Sequence, residues 1–176
     1  MRLELVREQR FAEFVAKHRD RAVSLAWRLV GDVAAAEDIA QEAFIRAFRG
    51  LGGFREEARM STWFYRILVN EARRHLRWRW VRDRVAAEMP DDVGDPRATP
   101  NGDPALRERV RRALARLPRG QREAFVLVYL EGMTITEAAS VASRADGTIK
   151  SHLHRALASL RRELADLAPR PEARRT

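Results

Sequence analysis

The chain is predicted to be all-α: two helical domains joined by a flexible acidic linker, the C-terminal domain a helix-turn-helix. Three observations lead there. Apolar residues recur at three- and four-residue steps through most of the 176 residues, while strand-like alternation is scarce. Charge falls in blocks: residues 1–84 hold 18 basic and 12 acidic side chains, residues 85–104 one and five, residues 105–176 fifteen and eight. The segment Ala139 to Ala158 reads as a short helix, a three-residue turn and a second helix with two distinct faces.

In the first helix Phe11, Phe14, Val15, His18, Ala22, Leu25, Ala26 and Leu29 form one stripe, as expected of a helix lying on a core. Gly31 is placed to end it and Asp32 to cap the next. The second helix is expected to bury Ala36, Ile39, Ala40, Ala43, Phe44 and Ala47 and to stop at Gly50, before the Gly52-Gly53 pair. A loop is expected from Phe54 to Met60, with Ser61 or Thr62 starting a third helix that runs towards Arg84. Residues 85–104 hold four prolines, two glycines and almost no large apolar side chain. Such a stretch buries too little surface to offset its ordering entropy, so it reads as a linker between residues 1–84 and 105–176. Beyond it a helix is expected from Ala105 to Arg116, and Pro118 marks the start of another. Phe125, Val126, Val128, Tyr129 and Leu130 are expected to fill that helix, Gly132 to end it and Thr134 to cap the next. Each domain is close to the lower size limit for a self-sufficient core.

On the last helix Ile149, Leu153, Ala156, Leu157 and Leu160 fall on one side, at about 100° per residue. Lys150, Ser151, His154 and Arg155 cluster roughly opposite, as donors and cations at the spacing a recognition helix uses in a major groove. Asp146 is placed as its N-cap, with the Gly147 and Thr148 amides open to a phosphate. An amphipathic surface helix with a solvated polar face has the same pattern.

Composition narrows the function classes. Net charge is +9, which suits a polyanionic partner. Cysteine is absent, which excludes disulfides and cysteine-ligated zinc. No apolar run approaches the ~20 residues of a membrane span, and the N-terminus lacks a signal-peptide core, so a cytoplasmic protein without membrane insertion is expected. His18, His75, His152 and His154 are not set with carboxylates at metal-ligand spacing, and Gly50, Gly52 and Gly53 follow a helix rather than a strand. Neither a metal site, a cofactor nor catalysis is expected.

Two further segments stand out. Asp38, Gln41, Glu42 and Ile45 make a ridge on the second helix, which reads either as a solvated face or as a partner surface. The third helix interleaves Arg73, Arg74, Arg77, Arg79, Arg82 and Arg84 with Trp78 and Trp80; guanidinium groups track a phosphate backbone and aromatic faces stack on unpaired bases. Trp63 steps onto Ile67 and is assigned to the core.

GDVAAAEDIAQEAFIRAFRGLGGF followed by STWFYRILVNEARRHLRW resembles region two of bacterial sigma factors. LARLPRGQREAFVLVYLEGMTITEAASVASRADGTIKSHLHRALASLRREL resembles region four. The resemblance spans about residues 11–168, and the lack of other sigma regions points to the compact extracytoplasmic-function (ECF) group. It implies a promoter-specificity subunit that binds core RNA polymerase and promoter DNA, with an anti-sigma factor as a further partner. Asp38, Gln41, Glu42 and Ile45 would then dock on the polymerase. Phe54, Arg55, Arg59, Ser61, Arg66, Asn70, Arg73 and Arg74 would engage the minus-ten element, and the Phe54–Met60 loop would hold a flipped base. Arg144, Thr148, Lys150, Ser151, His154 and Arg155 would read the minus-thirty-five element, and Phe125 to Leu130 would support the polymerase flap contact. The chain departs from the family in its Ala142-Ser143-Arg144 turn, where glycine is usual, and in His152 and His154. Histidine lacks the bidentate guanine contact of arginine. The rival class is a stand-alone helix-turn-helix regulator that binds DNA without polymerase.

Overall fold

The computed structural model describes residues 2–53, 60–83 and 103–165. Among the described residues there are seven α-helices and no strand. The N-terminal half is α1 (Arg2–Val30), α2 (Val33–Gly50) and α3 (Met60–Asp83), with a 3-10 turn at Leu51–Gly53. The C-terminal half is α4 (Pro104–Arg116), α5 (Arg119–Phe125), α6 (Ile135–Ala142) and α7 (Asp146–Glu163). A π-helical turn, Val126–Leu130, continues α5 without a break. The expected linker lies almost wholly outside the described residues.

Local chemistry sets most boundaries. Gly31 closes α1 at φ +77°, its amide donating to the Trp27 carbonyl at 2.7 Å. Asp32 then caps α2 by accepting from the Ala35 amide at 2.9 Å. Thr134 caps α6 in a reciprocal box with Glu137, which satisfies two otherwise orphaned donors. Asp146 departs from expectation. The cap position of α7 is Ala145, and the Asp146 carboxylate accepts from the Thr136 hydroxyl at 2.9 Å, tying α6 to α7. The Thr148 amide is likewise already bonded, to the Ala145 carbonyl.

The N-terminal core forms where α2 presents small side chains. Ala35, Ala36, Ala40, Ala43 and Ala47 are buried, so α1 and α3 approach closely. The larger volume comes from their partners: Leu25, Phe64, Leu68 and Val69 are fully enclosed, and Phe44 stacks on Phe64 with centroids 4.4 Å apart. Phe44 is half-buried rather than enclosed, and Trp63 is half-buried with its ring against Gly50.

The halves share this core. Val126, Leu127, Ala138, Ala139, Val141, Ala142, Ile149 and Leu153 belong to one continuous apolar cluster with the residues of α1–α3. α6 lies on α3, and the π-helical turn touches α1. A second, smaller cluster joins α4 to α7 through Ala113, Leu117, Ala156 and Leu160. The π-helical turn divides the apolar run Phe125–Leu130 between core and surface. Its i to i+5 bonding, seen in the Glu131 amide reaching the Val126 carbonyl at 2.9 Å, rotates the residues that follow. Tyr129 and Leu130 are therefore exposed, while Leu127 and the acidic Glu131 are buried.

Glu131 anchors a polar network at this junction. One carboxylate oxygen accepts from Arg21 Nε at 2.7 Å, the other from Arg28 at 2.6 Å. The Arg21 guanidinium lies over the Tyr65 ring, and the Tyr65 hydroxyl shares a 3.0 Å hydrogen bond with His18 Nδ1. Burial pushes the Tyr65 phenol up to about 12. Burial also pushes His18 below its ordinary value, with repulsion from Lys17 and Arg21 adding to it.

Two outcomes follow from these contacts. Ser143 closes α6 at φ +53°, a left-handed conformation in which a side chain costs energy and glycine does not. Ser143→Gly is expected to stabilise the fold by about 0.5–1 kcal/mol, read as a higher urea midpoint at unchanged slope. The lowered His18 value means that the unfolded chain takes up the proton at higher pH than the folded chain does. The contribution of His18 is thus present above about pH 6.5 and is lost as pH falls through the folded value. Stability of the parent should decline on acidification from neutral, and His18→Gln should flatten that decline in unfolding curves measured across the range.

Candidate polymerase and nucleic-acid interfaces

α7 owes its position to its apolar face: Ile149, Leu153, Ala156 and Leu160 are buried against α4–α6 and the shared core. Lys150, Ser151, His154 and Arg155 are consequently all exposed on the opposite side. Arg144 is exposed in the turn and Thr148 is half-buried at the first helical turn. The structure thus brings five of the six expected minus-thirty-five residues to the N-terminal part of α7, with Arg144 in the turn just before it. His152 points elsewhere, packed so tightly on Gly120 that a Cβ there would lie 2.3 Å from its ring.

Asp38, Gln41 and Ile45 are exposed on α2, with Glu42 half-buried among them. Together with Glu71, Arg74, His75 and Trp78 of α3 they border an open depression of about 580 Å³. Its floor is electrostatically fixed. Glu71 is buried and holds Arg46 at 3.0 Å on one side and Arg74 on the other, while Arg46 also takes Glu42 at 2.8 Å. Trp78 is 74% exposed. A ridge read from sequence as only a row on one helix is therefore one wall of a two-helix surface.

The expected minus-ten residues divide. Phe54, Arg55 and Arg59 lie outside the described residues. Arg66 and Asn70 are exposed on α3, and Ser61 is half-buried near its start. Arg73 and Arg74 are engaged within the protein. Arg74 is held by Glu71. Arg73 reaches across to the C-terminal half: its guanidinium forks onto the buried Glu123 carboxylate, through Nε at 3.0 Å and through a second, short contact, and also donates to the Ala142 carbonyl at 2.7 Å.

Sequence reasoning missed this junction. Glu123 and Glu131, both buried, take partners 50 and 110 residues distant. Arg122 donates to the carbonyls of Leu29 and Ala115, and burial holds its guanidinium below the ordinary value, with Arg79 adding repulsion. One signal was available: two acidic residues bracket the apolar run Ala124–Leu130, and a carboxylate at the edge of a buried run requires a cation. Among the described residues no group of three or more His, Cys, Asp or Glu is placed to hold a metal ion, and no helix is long and apolar enough to cross a membrane.

Comparison with known proteins gives this geometry a family. Residues 14–82 match Sigma-70 region 2, and residues 107–160 match Sigma-70, region 4. The ECF RNA polymerase sigma factor SigW of Bacillus subtilis is 30% identical over 177 residues, covering 89% of this chain and 90% of that protein. The ECF RNA polymerase sigma-E factor of Escherichia coli K12 is 33% identical, over 96% of this chain and 91% of that one. Among solved structures, the sigma factor RpoE of Bartonella quintana, crystallised with the anti-sigma factor NepR, is similar at a TM-score of 0.77 and 25% identity, covering 89% of this chain and 98% of that one. CnrH, in complex with the cytosolic domain of CnrY, is similar at a TM-score of 0.67 and 26% identity, with 92% and 91% covered. With relatives at this identity aligned over nearly their whole length, and both halves matched in order, the chain belongs to the ECF RNA polymerase sigma factors of the sigma-70 family.

Proposed function

We propose that this ECF sigma factor recruits core RNA polymerase to promoters through three surfaces distributed over residues 1–84 and 105–176, with residues 85–104 as their connection. Asp38, Gln41, Glu42 and Ile45 form the docking ridge for core polymerase. Ser61, Arg66, Asn70, Arg73 and Arg74, with Phe54, Arg55 and Arg59, engage the minus-ten element. Arg144, Thr148, Lys150, Ser151, His154 and Arg155 read the minus-thirty-five element. The protein acts by binding rather than by catalysis, in the cytoplasm, with an anti-sigma factor as a regulatory partner. The similarity to sigma factors solved with anti-sigma proteins supports that last assignment.

One observation carries the reading: α7 exposes Lys150, Ser151, His154 and Arg155 while its opposite face is buried, which is the arrangement of a helix built to enter a groove. The rival reading, a stand-alone regulator, leaves the region 2 match over residues 14–82 without a role.

Elements about 25 base pairs apart are separated by roughly 85 Å at about 3.4 Å per pair. α6, which supports the recognition helix, lies against α3. A 176-residue compact body has a radius of gyration of only about 16 Å, so the closed arrangement cannot reach both elements together. The halves must separate on the promoter.

Run-off transcription from a defined promoter is expected only when the chain is added to core polymerase. Gln41→Lys with Glu42→Lys should lower core affinity at least about tenfold while leaving helicity intact, since the Glu42–Arg46 pair is a surface pair worth about 0–1 kcal/mol. Arg155→Ala should cost about 1–3 kcal/mol in binding to the upstream element and leave core binding unchanged. Undiminished co-purification of the double lysine variant with core would overturn the docking assignment.

A further inference from the structure

The halves are joined by carboxylates whose hydrogen-bonded cations sit on the other side. Glu131 pairs with Arg21 and Arg28 of α1, and Glu123 pairs with Arg73 of α3. The apolar part of the junction is incompletely packed: α1, α3 and α5 leave a cleft of about 400 Å³, lined by Leu29, Val69, Ala72 and Leu76 on one side and by Arg119 and Arg122 on the other. Side chains bordering such a gap lose dispersion contacts, which shifts weight onto the ion pairs.

We propose that Glu123 and Glu131 form a charge latch that keeps the two DNA-reading halves shut, and that Glu123 occupies Arg73 in the place of a promoter phosphate. The DNA part of this rests on the reading of Arg73 as a minus-ten contact; the Glu131 part does not. A carboxylate and a phosphate satisfy the guanidinium fork in the same bidentate way, so the two compete for one arginine. Glu123 is also the negative charge among several positive ones. Burial holds the Arg119 guanidinium below its ordinary value, Glu123 opposes that shift, and Arg73, Arg77 and Arg144 add repulsion. Taking Glu123 away leaves these cations facing one another in a partly dewatered place, which drives separation rather than local loosening. Opening strands neither carboxylate, because both then enter water, and its cost is the apolar surface of the shared core that it exposes. DNA supplies negative charge at every nucleotide step and so outcompetes a single glutamate.

The chain has no cysteine, so spin labels at Ala34→Cys on α2 and Ala158→Cys on α7, both exposed, report the spacing of the halves without interference. The labelled parent should show one short distance. Glu123→Gln with Glu131→Gln should move a large fraction to long, broad distances at unchanged helicity. Arg21→Gln with Arg28→Gln breaks the Glu131 leg from the other side and should do the same. Affinity for a short mixed-sequence DNA duplex at fixed salt should rise about tenfold in the glutamine pair, a gain of about 1.4 kcal/mol. Glu8→Gln with Glu13→Gln, two exposed changes on α1, makes the same change in net charge away from the latch and should give much less. Distances that stay short in both folded latch variants overturn the latch. Open distances with a DNA gain no larger than that control overturn the competition at Arg73. The distance measurement uses neither polymerase nor DNA, so its outcome is separate from the reading of the promoter contacts.

Discussion

Helix α3 has more apolar circumference than one neighbour can cover, and the arrangement of the molecule follows from that. Phe64, Tyr65, Leu68, Val69 and Ala72 are all buried and span an arc of about 140° at 100° per residue. α1, α2 and α6 all lie against α3. Neither half is large enough to enclose such a helix alone, and burying that surface supplies the main force that brings the C-terminal helices onto it. Ala138, Ala139 and Ala142 of α6 repeat the device used by α2: small side chains let two helix backbones approach, and the partner provides the volume.

Charge works against this burial. With 34 basic and 25 acidic residues, bringing two basic halves together concentrates arginines where water is thin. Glu123 and Glu131 offset that concentration at two points, one against α3 and one against α1. Isolated buried ion pairs rarely add much stability over an apolar contact of equal size, but removing one partner is costly because the other charge is stranded. The junction is therefore specified by charge and driven by apolar contact. The basic surplus that suits a polyanionic partner also sets like charges against one another in the closed state.

What was legible in the sequence is what is local. The stripe from Phe11 to Leu29, the stops at Gly31 and Gly132 and the caps at Asp32 and Thr134 depend on neighbours within one or two turns, and each appears where expected. The two faces of α7 were legible for the same reason, which is why Lys150, Ser151, His154 and Arg155 are exposed together. Asp146 was misplaced because the Thr136 hydroxyl, ten residues earlier, claims its carboxylate. Which members of the run Phe125–Leu130 face outward was not legible, because a 3.6-residue period cannot register a π-helical turn. Arg73 shows the deeper limit. Residue type and spacing mark it as a phosphate ligand, but whether an intramolecular carboxylate already holds it is a property of chain topology across 50 residues.

The π-helical turn at Val126–Leu130 carries an evolutionary consequence. Such a turn is an α-helix with one residue inserted and taken up locally, so deleting a single codon there would restore regular helix while the later side chains kept nearly the same bearing. A codon gained or lost where regular helix persists would instead swing every later side chain by about 100° and take Glu131 from its two arginines. The wide turn is thus the place where a lineage could shed a residue from this helix without undoing the junction between its halves.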